Sequence, residues 1–277
     1  MDKKVVLMIL DGWGIATNPK VSAIDAAKTP FISSLYGKYA HSKLEASGLA
    51  VGLPEGQMGN SEVGHLNIGA GRIVYQELQR INVAIKTGEL ANNKTFLEAV
   101  NYAKTNNKPL QLMGLVSDGG VHAHINHLMA ICDYCKANGL TELYIHAFTD
   151  GRDTDPKSGL GFMTTLTQHL QKSVGKIATI SGRYYAMDRD KRWERVKLAY
   201  DCLVHSAGPR ATSATAALEA AYANDTTDEF LLPTIIVDDN NKPVAVIKEG
   251  DAVFCFNFRT DRCREITEVL TQQAFPE

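Results

Sequence analysis

Five short apolar runs predict β-strands in this chain, at residues 5–10, 110–116, 143–148, 176–180 and 252–258. The first run is apolar throughout and rich in β-forming residues, which is typical of a strand buried on both faces. From Arg72 onward, strand patterns alternate with helical patterns in units of the size that a crossover-connected parallel sheet needs. We therefore predict an α/β fold with a largely parallel sheet, preceded by a long helix over residues 73–100.

The character of the sequence changes between Tyr75 and Gln79. Residues 48–71 are dense in glycine and small polar residues, whereas regular alternation of strands and helices follows them. This change predicts two domains, residues 1–75 and residues 76–277. Residues 1–75 offer one strand and one loop, which are too little to build a sheet, so we expect them to be poorly supported alone. Residues 224–228 are predicted to form a surface turn.

A cationic or imidazole side chain follows each of the last four predicted strands: His122, Arg152, Arg183 and Arg259. In an open parallel sheet the ligand lies beyond the carboxyl ends of the strands, so these side chains are expected to converge. Arginine forks at such a place match a phosphate or a carboxylate. Any one of them could be an ordinary solvated loop residue, but four in register with strand ends indicate an anion site.

Composition excludes several classes of partner. The chain has 277 residues and a net charge of −2, so nothing suggests a nucleic acid or another polyanion as its partner. No apolar run reaches the length of a membrane span, and the first run is too short for a signal peptide. Five cysteines without a repeating framework favour the reducing cytoplasm over a disulfide scaffold.

Cys132 and Cys135 form a C-x-x-C motif within residues 125–137, which have helical periodicity. A redox pair is expected at a helix N-terminus directly after a strand, where the helix dipole lowers the thiol pKa. This pair lies near the C-terminal end of the predicted helix, which Asn138 and Gly139 close. We interpret both cysteines as packing residues of a core-facing helix.

Two polar residues in the first domain have two interpretations each. Asp11 follows the first predicted strand and precedes Gly12, where a carboxylate either binds a metal ion or caps a turn. Ser61 stands at the start of a predicted helix, where its hydroxyl either caps the helix or carries a phosphate that the helix N-terminus stabilises. In the second role the hydroxyl needs activation by a metal ion or a base.

Six segments resemble, in the right order, the cofactor-independent phosphoglycerate mutases, which are binuclear-metal enzymes of the alkaline phosphatase superfamily. They are residues 8–14 (MILDGWG), 59–65 with 67–72 (GNSEVGH, NIGAGR), 117–122 (SDGGVH), 146–153 (HAFTDGRD), 182–189 (GRYYAMDR) and 256–259 (FNFR). The resemblance spans the whole chain. It implies the start of an alkaline-phosphatase-like domain followed by an inserted α/β phosphotransferase domain.

The resemblance also implies a role for each matched residue. Asp11 and Ser61 would be metal ligands in an enzyme that holds two Mn²⁺ ions, or another divalent metal, and that needs no 2,3-bisphosphoglycerate. Ser61 would be the nucleophile that takes the phosphoryl group of 3-phosphoglycerate as a phosphoserine and returns it to the other hydroxyl. The implied substrate-binding residues are His122, Arg152, Asp153, Arg183, Arg189, Arg259 and Arg262.

Asp153 is the only acid in this implied substrate site. As a catalytic residue it would exchange a proton with a hydroxyl of the glycerate. The alternative is a structural ion pair with Arg152 or Arg183.

The resemblance further predicts Asp and His metal-ligand motifs that this sequence does not contain. We therefore expect a fragment of a cytoplasmic, monomeric enzyme of glycolysis and gluconeogenesis, with little activity alone and with the small molecule phosphoglycerate as its partner. Two alternatives stay open: a non-catalytic module that binds phosphoglycerate, and another phosphomutase of the same superfamily.

Overall fold

A computed structural model describes residues 4–272 of the chain. Contacts divide the chain into two compact units, Met1–Gln79 and Arg80–Glu277. The boundary predicted from the sequence, between residues 75 and 76, lies just before this division.

The first unit consists of short helices and turns. They are α1 (Ala23–Ala26), α2 (Pro30–Lys38), α3 (Ser61–Ala70) and the start of α4 (Glu77–Lys86), with 3₁₀ turns at Pro19–Val21 and Gly48–Val51. Val51, Leu53 and Val63 form a small buried apolar cluster. This cluster is far smaller than the core of a stable sheet.

The predicted strand at residues 5–10 is wrong. Residues 4–10 have no regular secondary structure, and Val5 and Val6 are 92% and 85% exposed. A strand needs a neighbour to take its backbone N–H and C=O groups, and no described residue of the first unit pairs with this run. The apolar pattern is present, but the partner that would bury it is not among residues 4–79.

The second unit alternates helices and strands. Its helices after α4 are α5 (Lys94–Thr105), α6 (Ile125–Ala137), α7 (Gly159–Leu170), α8 (Arg183–Ala186), α9 (Trp193–His205), α10 (Ala214–Ala223) and α11 (Arg264–Thr271). Its strands are β1 (Leu110–Leu115), β2 (Leu143–Thr149), β3 (Lys176–Gly182), β4 (Arg210–Ala211), β5 (Thr234–Ile236) and β6 (Ala252–Cys255). Short 3₁₀ turns occur at Leu90–Asn92 and Asp228–Phe230.

These strands form one sheet in the order β4-β5-β3-β2-β1-β6. β6, β1, β2 and β3 are mutually parallel, and β5 runs antiparallel to β3. β1 is buried along its whole length, as expected for a strand covered on both faces. The predicted α/β fold with a largely parallel sheet is confirmed.

β6 is shorter than the predicted strand at residues 252–258. Phe256 N still donates to Met113 O, but the side chain of Asn257 then replaces the backbone partner, because its Oδ1 accepts from Leu115 N at 2.9 Å. The chain turns away from the sheet at this point and carries Arg259 past the strand end.

The long helix predicted at residues 73–100 is also wrong, because the segment contains two helices. α4 ends at Lys86, α5 begins at Lys94, and Gly88 between them has a φ of +78°. This left-handed conformation closes a helix and suits glycine. The apolar periodicity continues across the break, which is why the sequence pattern hides it.

The helix predicted at residues 125–137 is confirmed with the same bounds in α6. Cys132 and Cys135 are fully buried, and burial raises the pKa of both thiols, that of Cys135 to about 12. Buried protonated thiols behave as small apolar groups. Neither α6 nor any other helix within residues 4–272 is long and apolar enough to cross a membrane.

Candidate functional site

The carboxyl ends of the parallel strands bring the predicted anion-binding residues to one edge of the sheet. His122 follows β1, Arg152 follows β2, and Arg183 begins α8 directly after β3. The loop after β6 joins them, because Phe258 N donates to the carbonyl oxygen of His122 at 2.9 Å. This is the edge at which open α/β sheets bind their ligands.

Arg183 lies at the centre of this edge. Its side chain is 2% exposed, and its Nη1 contacts Asp150 Oδ1 at 2.7 Å and Asp153 Oδ2 at 2.6 Å. Burial would lower the pKa of the guanidinium, but the two carboxylates raise it above the usual value. The ion pair with Arg183, one of the two roles weighed for Asp153, is therefore present in the structure.

Asp150 anchors the loop that carries Arg152 and Asp153. Its Oδ2 accepts from Ser117 Oγ at 2.7 Å, and its Oδ1 accepts from the backbone N–H groups of Arg152 and Asp153. Burial would raise the pKa of Asp150, but the Asp153 amide, the Ser117 hydroxyl and Arg183 together hold it below the usual value. Asp150 lies within one of the family motifs, yet the sequence alone assigned it no role.

His122 is buried between two carboxylates. Its Nε2 lies 3.8 Å from Asp153 Oδ2 and its Nδ1 lies 3.7 Å from Asp261 Oδ1, distances too long for hydrogen bonds. Burial and the charge of Arg183 lower the pKa of His122 despite both carboxylates, so the ring is neutral at pH 7. His122 Nδ1 and Asp261 Oδ1 have no hydrogen-bond partner among the described residues.

Asp261 connects the outer arginines of the site. Arg189 Nη1 lies 2.8 Å from Asp261 Oδ2, and Arg259 Nε lies 3.2 Å from Asp261 Oδ1. Arg189 and Arg259 are 43% and 49% exposed, so both reach solvent. Sequence reasoning missed Asp261, although its position between Arg259 and Arg262 was a signal.

The remaining two predicted arginines lie close to this group. Arg152 pairs with Glu229 at 3.5 Å and is 57% exposed. Arg262 Nη1 donates to the carbonyl oxygen of Met187 at 3.2 Å, and burial together with the charges of Arg183, Arg189 and Arg152 lowers its pKa. These three cations therefore act on Arg262 at short range. We call the set of seven predicted residues the cation cluster: His122, Arg152, Asp153, Arg183, Arg189, Arg259 and Arg262.

Asp228 is a buried carboxylate that binds the end of β2 and the start of α7. The sequence predicted a surface turn at residues 224–228, but Asp228 is fully buried, so the prediction is wrong for this residue. Its Oδ2 accepts from Gly159 N at 2.7 Å, its Oδ1 accepts from the Tyr222 hydroxyl, and its carbonyl oxygen accepts from Thr149 Oγ1. Burial raises its pKa above the usual value. Polar flanking residues gave no sign of this burial.

A second polar group lies in the first unit. Ser61 is the first residue of α3, and its Oγ donates to Asp11 Oδ2 at 2.7 Å. His65 lies one turn further along α3, with its Nδ1 3.2 Å from Ser61 Oγ and 2.8 Å from the carbonyl oxygen of Ser61. The helix cap is Asn60, whose side chain accepts from Val63 N, so the N-cap interpretation of Ser61 is wrong.

Asp11, Ser61 and His65 offer a carboxylate, a hydroxyl and an imidazole, which are donors that divalent metal ions accept. The short Ser61–Asp11 contact places both predicted ligands where one ion could bind them. Within residues 4–272, however, no group of three or more His, Cys, Asp or Glu side chains is suited to a metal ion. These residues therefore fit part of a coordination sphere. His65 was not assigned a role from the sequence, although it belongs to a quoted motif.

Comparison with known families decides what kind of chain this is. The family model described as BPG-independent PGAM N-terminus matches residues 81–277. The chain belongs to this family. The matched region of this chain contains the whole sheet of the second unit and the entire cation cluster.

Curated relatives extend the similarity over both units. The 2,3-bisphosphoglycerate-independent phosphoglycerate mutases of Flavobacterium psychrophilum and Flavobacterium johnsoniae are 56% and 57% identical to this chain over 277 residues. The matches cover 100% of this chain and 55% of each relative. The chain thus spans about half the length of these relatives.

A solved structure has a similar fold. It belongs to the phosphoglycerate mutase of Leishmania mexicana, crystallised at low cobalt concentration, and it superimposes with a TM-score of 0.74 at 34% identity. The match covers 97% of this chain and 51% of the Leishmania chain.

Proposed function

We propose that this chain is the N-terminal part of a 2,3-bisphosphoglycerate-independent phosphoglycerate mutase, which interconverts 3-phosphoglycerate and 2-phosphoglycerate. In this proposal residues 1–75 begin a phosphatase-like domain and residues 76–277 belong to an inserted phosphotransferase domain. The observation that best supports this proposal is the cation cluster at the carboxyl ends of four parallel strands, in a chain whose curated relatives bear this enzyme's name.

The charge of the cation cluster suits the substrate. Phosphoglycerate carries a phosphate and a carboxylate, about three negative charges near neutral pH because the second phosphate pKa is near 6. Arginine is the residue best suited to both groups, since its planar fork forms paired hydrogen bonds with either. Arg152, Arg189 and Arg259 reach solvent and would meet the ligand first, while buried Arg183 fixes the floor of the site.

Asp153 and His122 would handle the proton of the glycerate hydroxyl. Asp153 is held by Arg183 at 2.6 Å, and the neutral ring of His122 lies 3.8 Å from the same carboxylate. A carboxylate can accept the proton that a hydroxyl loses as its oxygen attacks phosphorus, and can return it when that oxygen leaves. Holding Asp153 in place also orients the glycerate for transfer.

Ser61 would be the phosphoryl acceptor. Its oxygen forms the new P–O bond as the glycerate oxygen leaves, and the reverse transfer to the neighbouring hydroxyl yields the isomer. The N-terminal amides of α3 favour a phosphate on this side chain. Asp11 would hold the Ser61 hydroxyl through the contact at 2.7 Å.

A divalent metal ion would bind at the same two residues. Asp11 and Ser61 would contribute ligands to a divalent ion, with two Mn²⁺ ions expected in the complete protein and another divalent metal as the alternative. When bound, such an ion supplies charge stabilisation and makes the serine hydroxyl more acidic. The cytoplasmic location, the monomeric state and the independence of nucleic acids and membranes stay predictions.

Of the two alternatives, neither gains support. A non-catalytic module gives no use for Ser61 beside Asp11, and the curated relatives are named as mutases of phosphoglycerate and not of another sugar phosphate.

Titration calorimetry of the chain with 3-phosphoglycerate tests the proposal. Replacing Arg259 with alanine should weaken binding by roughly 1.5 to 3 kcal/mol, the typical contribution of a hydrogen bond to a charged group. Arg264→Ala is the matched control, because Arg264 is an exposed arginine on the neighbouring helix α11 and belongs to no predicted site. Equal affinities of the wild type and Arg259→Ala would remove Arg259 from the site, and failure of the wild type to bind would contradict the proposal.

A further inference from the structure

Asp261 stands out among the carboxylates around the cation cluster because it lies within 4 Å of three side chains of the cluster. It contacts Arg189 at 2.8 Å and Arg259 at 3.2 Å, and it lies 3.7 Å from His122. All three belong to the predicted substrate site.

Two other carboxylates of the site, Asp150 and Asp153, are fixed by the fold. Asp150 is 1% exposed and accepts hydrogen bonds from a serine hydroxyl and two backbone amides. Asp153 is bound to the buried guanidinium of Arg183. The side chain of Asp261 is 32% exposed, and it accepts no hydrogen bond from a backbone amide within residues 4–272. Asp261 is therefore freer to move than Asp150 or Asp153.

One carboxylate between two arginines imitates a bound anion. Arginine forms charge-assisted contacts with the oxygens of aspartate, of a substrate carboxylate and of a phosphate alike. Asp261 thus neutralises part of the charge of Arg189 and Arg259 before any ligand arrives. An incoming anion must share these two arginines or displace the aspartate.

We propose that Asp261 is an internal anion that occupies the Arg189–Arg259 pair in the free chain and yields this pair to the phosphate or carboxylate of the substrate. The inference rests on the proposed function, since it takes the cation cluster as the substrate site. Asp261 then sets the affinity of the site: it keeps the arginines in position while the site is free, and it competes with the bound anion.

The test compares ligand affinities of Asp261→Asn and the wild-type chain by titration calorimetry at fixed ionic strength. The substitution keeps the shape of the side chain and removes its charge. Binding of 3-phosphoglycerate should tighten about threefold to tenfold, because the two competing contacts are partly exposed ion pairs of modest strength. Inorganic phosphate and glycerate, titrated separately, identify which group of the substrate takes the place of the aspartate.

Two variants control for other effects. Asp261→Glu retains the charge and should not tighten binding. Asp190→Asn removes one negative charge next to Arg189, but Asp190 is exposed and forms no ion pair among the described residues. This variant should therefore bind 3-phosphoglycerate with the affinity of the wild type.

The outcomes separate this inference from the proposed function. Tighter binding by Asp261→Asn alone supports an internal anion. Unchanged or weaker binding by Asp261→Asn, with a wild type that binds 3-phosphoglycerate, overturns the inference and leaves the proposed function intact. If neither chain bound any of the three ligands, the anion site would be absent and both proposals would be overturned.

Discussion

Arg183 illustrates how a single residue serves both stability and the proposed binding. Its guanidinium is almost fully buried, and it compensates the negative charge of Asp150, which is 1% exposed. A buried ion pair adds little net stability as a whole, but removal of one partner leaves an uncompensated charge in the interior. The outer pair of Arg189 and Asp261 is different, because water and salt screen it.

Replacement of Arg183 with alanine should therefore lower the free energy of unfolding by about 3–5 kcal/mol, the usual loss when one partner of a buried pair is removed. Urea denaturation followed by circular dichroism measures this loss. Arg189→Ala is the matched control and should cost at most about 1 kcal/mol, as exposed pairs do. Similar losses in the two variants would contradict the buried, structural role of Arg183.

At the scale of elements, a line of buried polar side chains crosses the three central strands. His146 on β2 lies 3.0 Å from Gln111 Oε1 on β1 and 2.9 Å from Thr179 Oγ1 on β3. All three side chains are buried. Burial lowers the pKa of His146 to about 3, so the folded sheet holds the neutral ring.

This pKa makes the stability of the sheet depend on pH. The unfolded chain, with a histidine pKa of 6.5, binds the proton before the folded chain does, so the contribution of His146 is present above pH 6.5 and lost as pH falls. Between pH 7 and pH 5 the loss of this contribution should lower the free energy of unfolding by about 2 kcal/mol. His146→Gln should lose about 2 kcal/mol less than the wild type over this range, as measured by urea denaturation at both pH values.

His127 also makes the free energy of unfolding fall as pH falls, and it does so equally in the wild type and in His146→Gln. Burial lowers its pKa to about 4, and its Nε2 lies 2.8 Å from Asn82 Oδ1. The difference between the variant and the wild type therefore isolates His146. Parallel pH profiles for the two chains would show that the ring of His146 accepts a proton inside the folded sheet.

At the scale of the whole molecule, the two units differ in the size of their apolar cores. The second unit has a six-stranded sheet with a large continuous core. The first unit has a small apolar cluster, and it leaves the run at residues 4–10 without a strand partner among the described residues. Asp11, Ser61 and His65 lie in this unit with the smaller core.

We therefore expect the 277-residue chain to have little or no mutase activity with Mn²⁺, because Asp11 and Ser61 provide too few ligands to hold two metal ions. A coupled assay that follows formation of 2-phosphoglycerate measures this activity. Binding of 3-phosphoglycerate by the same preparation, measured by calorimetry, is the control that the second unit is folded. Robust turnover by the chain alone would contradict the prediction.

The sequence by itself predicted strands β1, β2, β3 and β6, helix α6 and the strand-end residues His122, Arg152, Arg183 and Arg259, whereas Asp153, Arg189 and Arg262 came from the family resemblance. Periodicity and residue type report on neighbouring positions, and parallel strands carry the residues after them to one edge of the sheet. Sequence patterns could not reveal that the run at residues 5–10 lacks a strand partner in this chain, nor that Gly88 divides a helix, because both depend on backbone conformation and pairing.

Only the tertiary structure decided which carboxylates organise the site. Asp150 meets Ser117 from 33 positions away, Asp228 meets Gly159 from 69, and Asp261 meets Arg189 from 72. Each aspartate lies in a polar segment that looks solvated in the sequence. Burial and pairing come from chain segments that fold together over long distances, so the same residue type became an anchor at Asp150, a buried support at Asp228 and an exchangeable anion at Asp261.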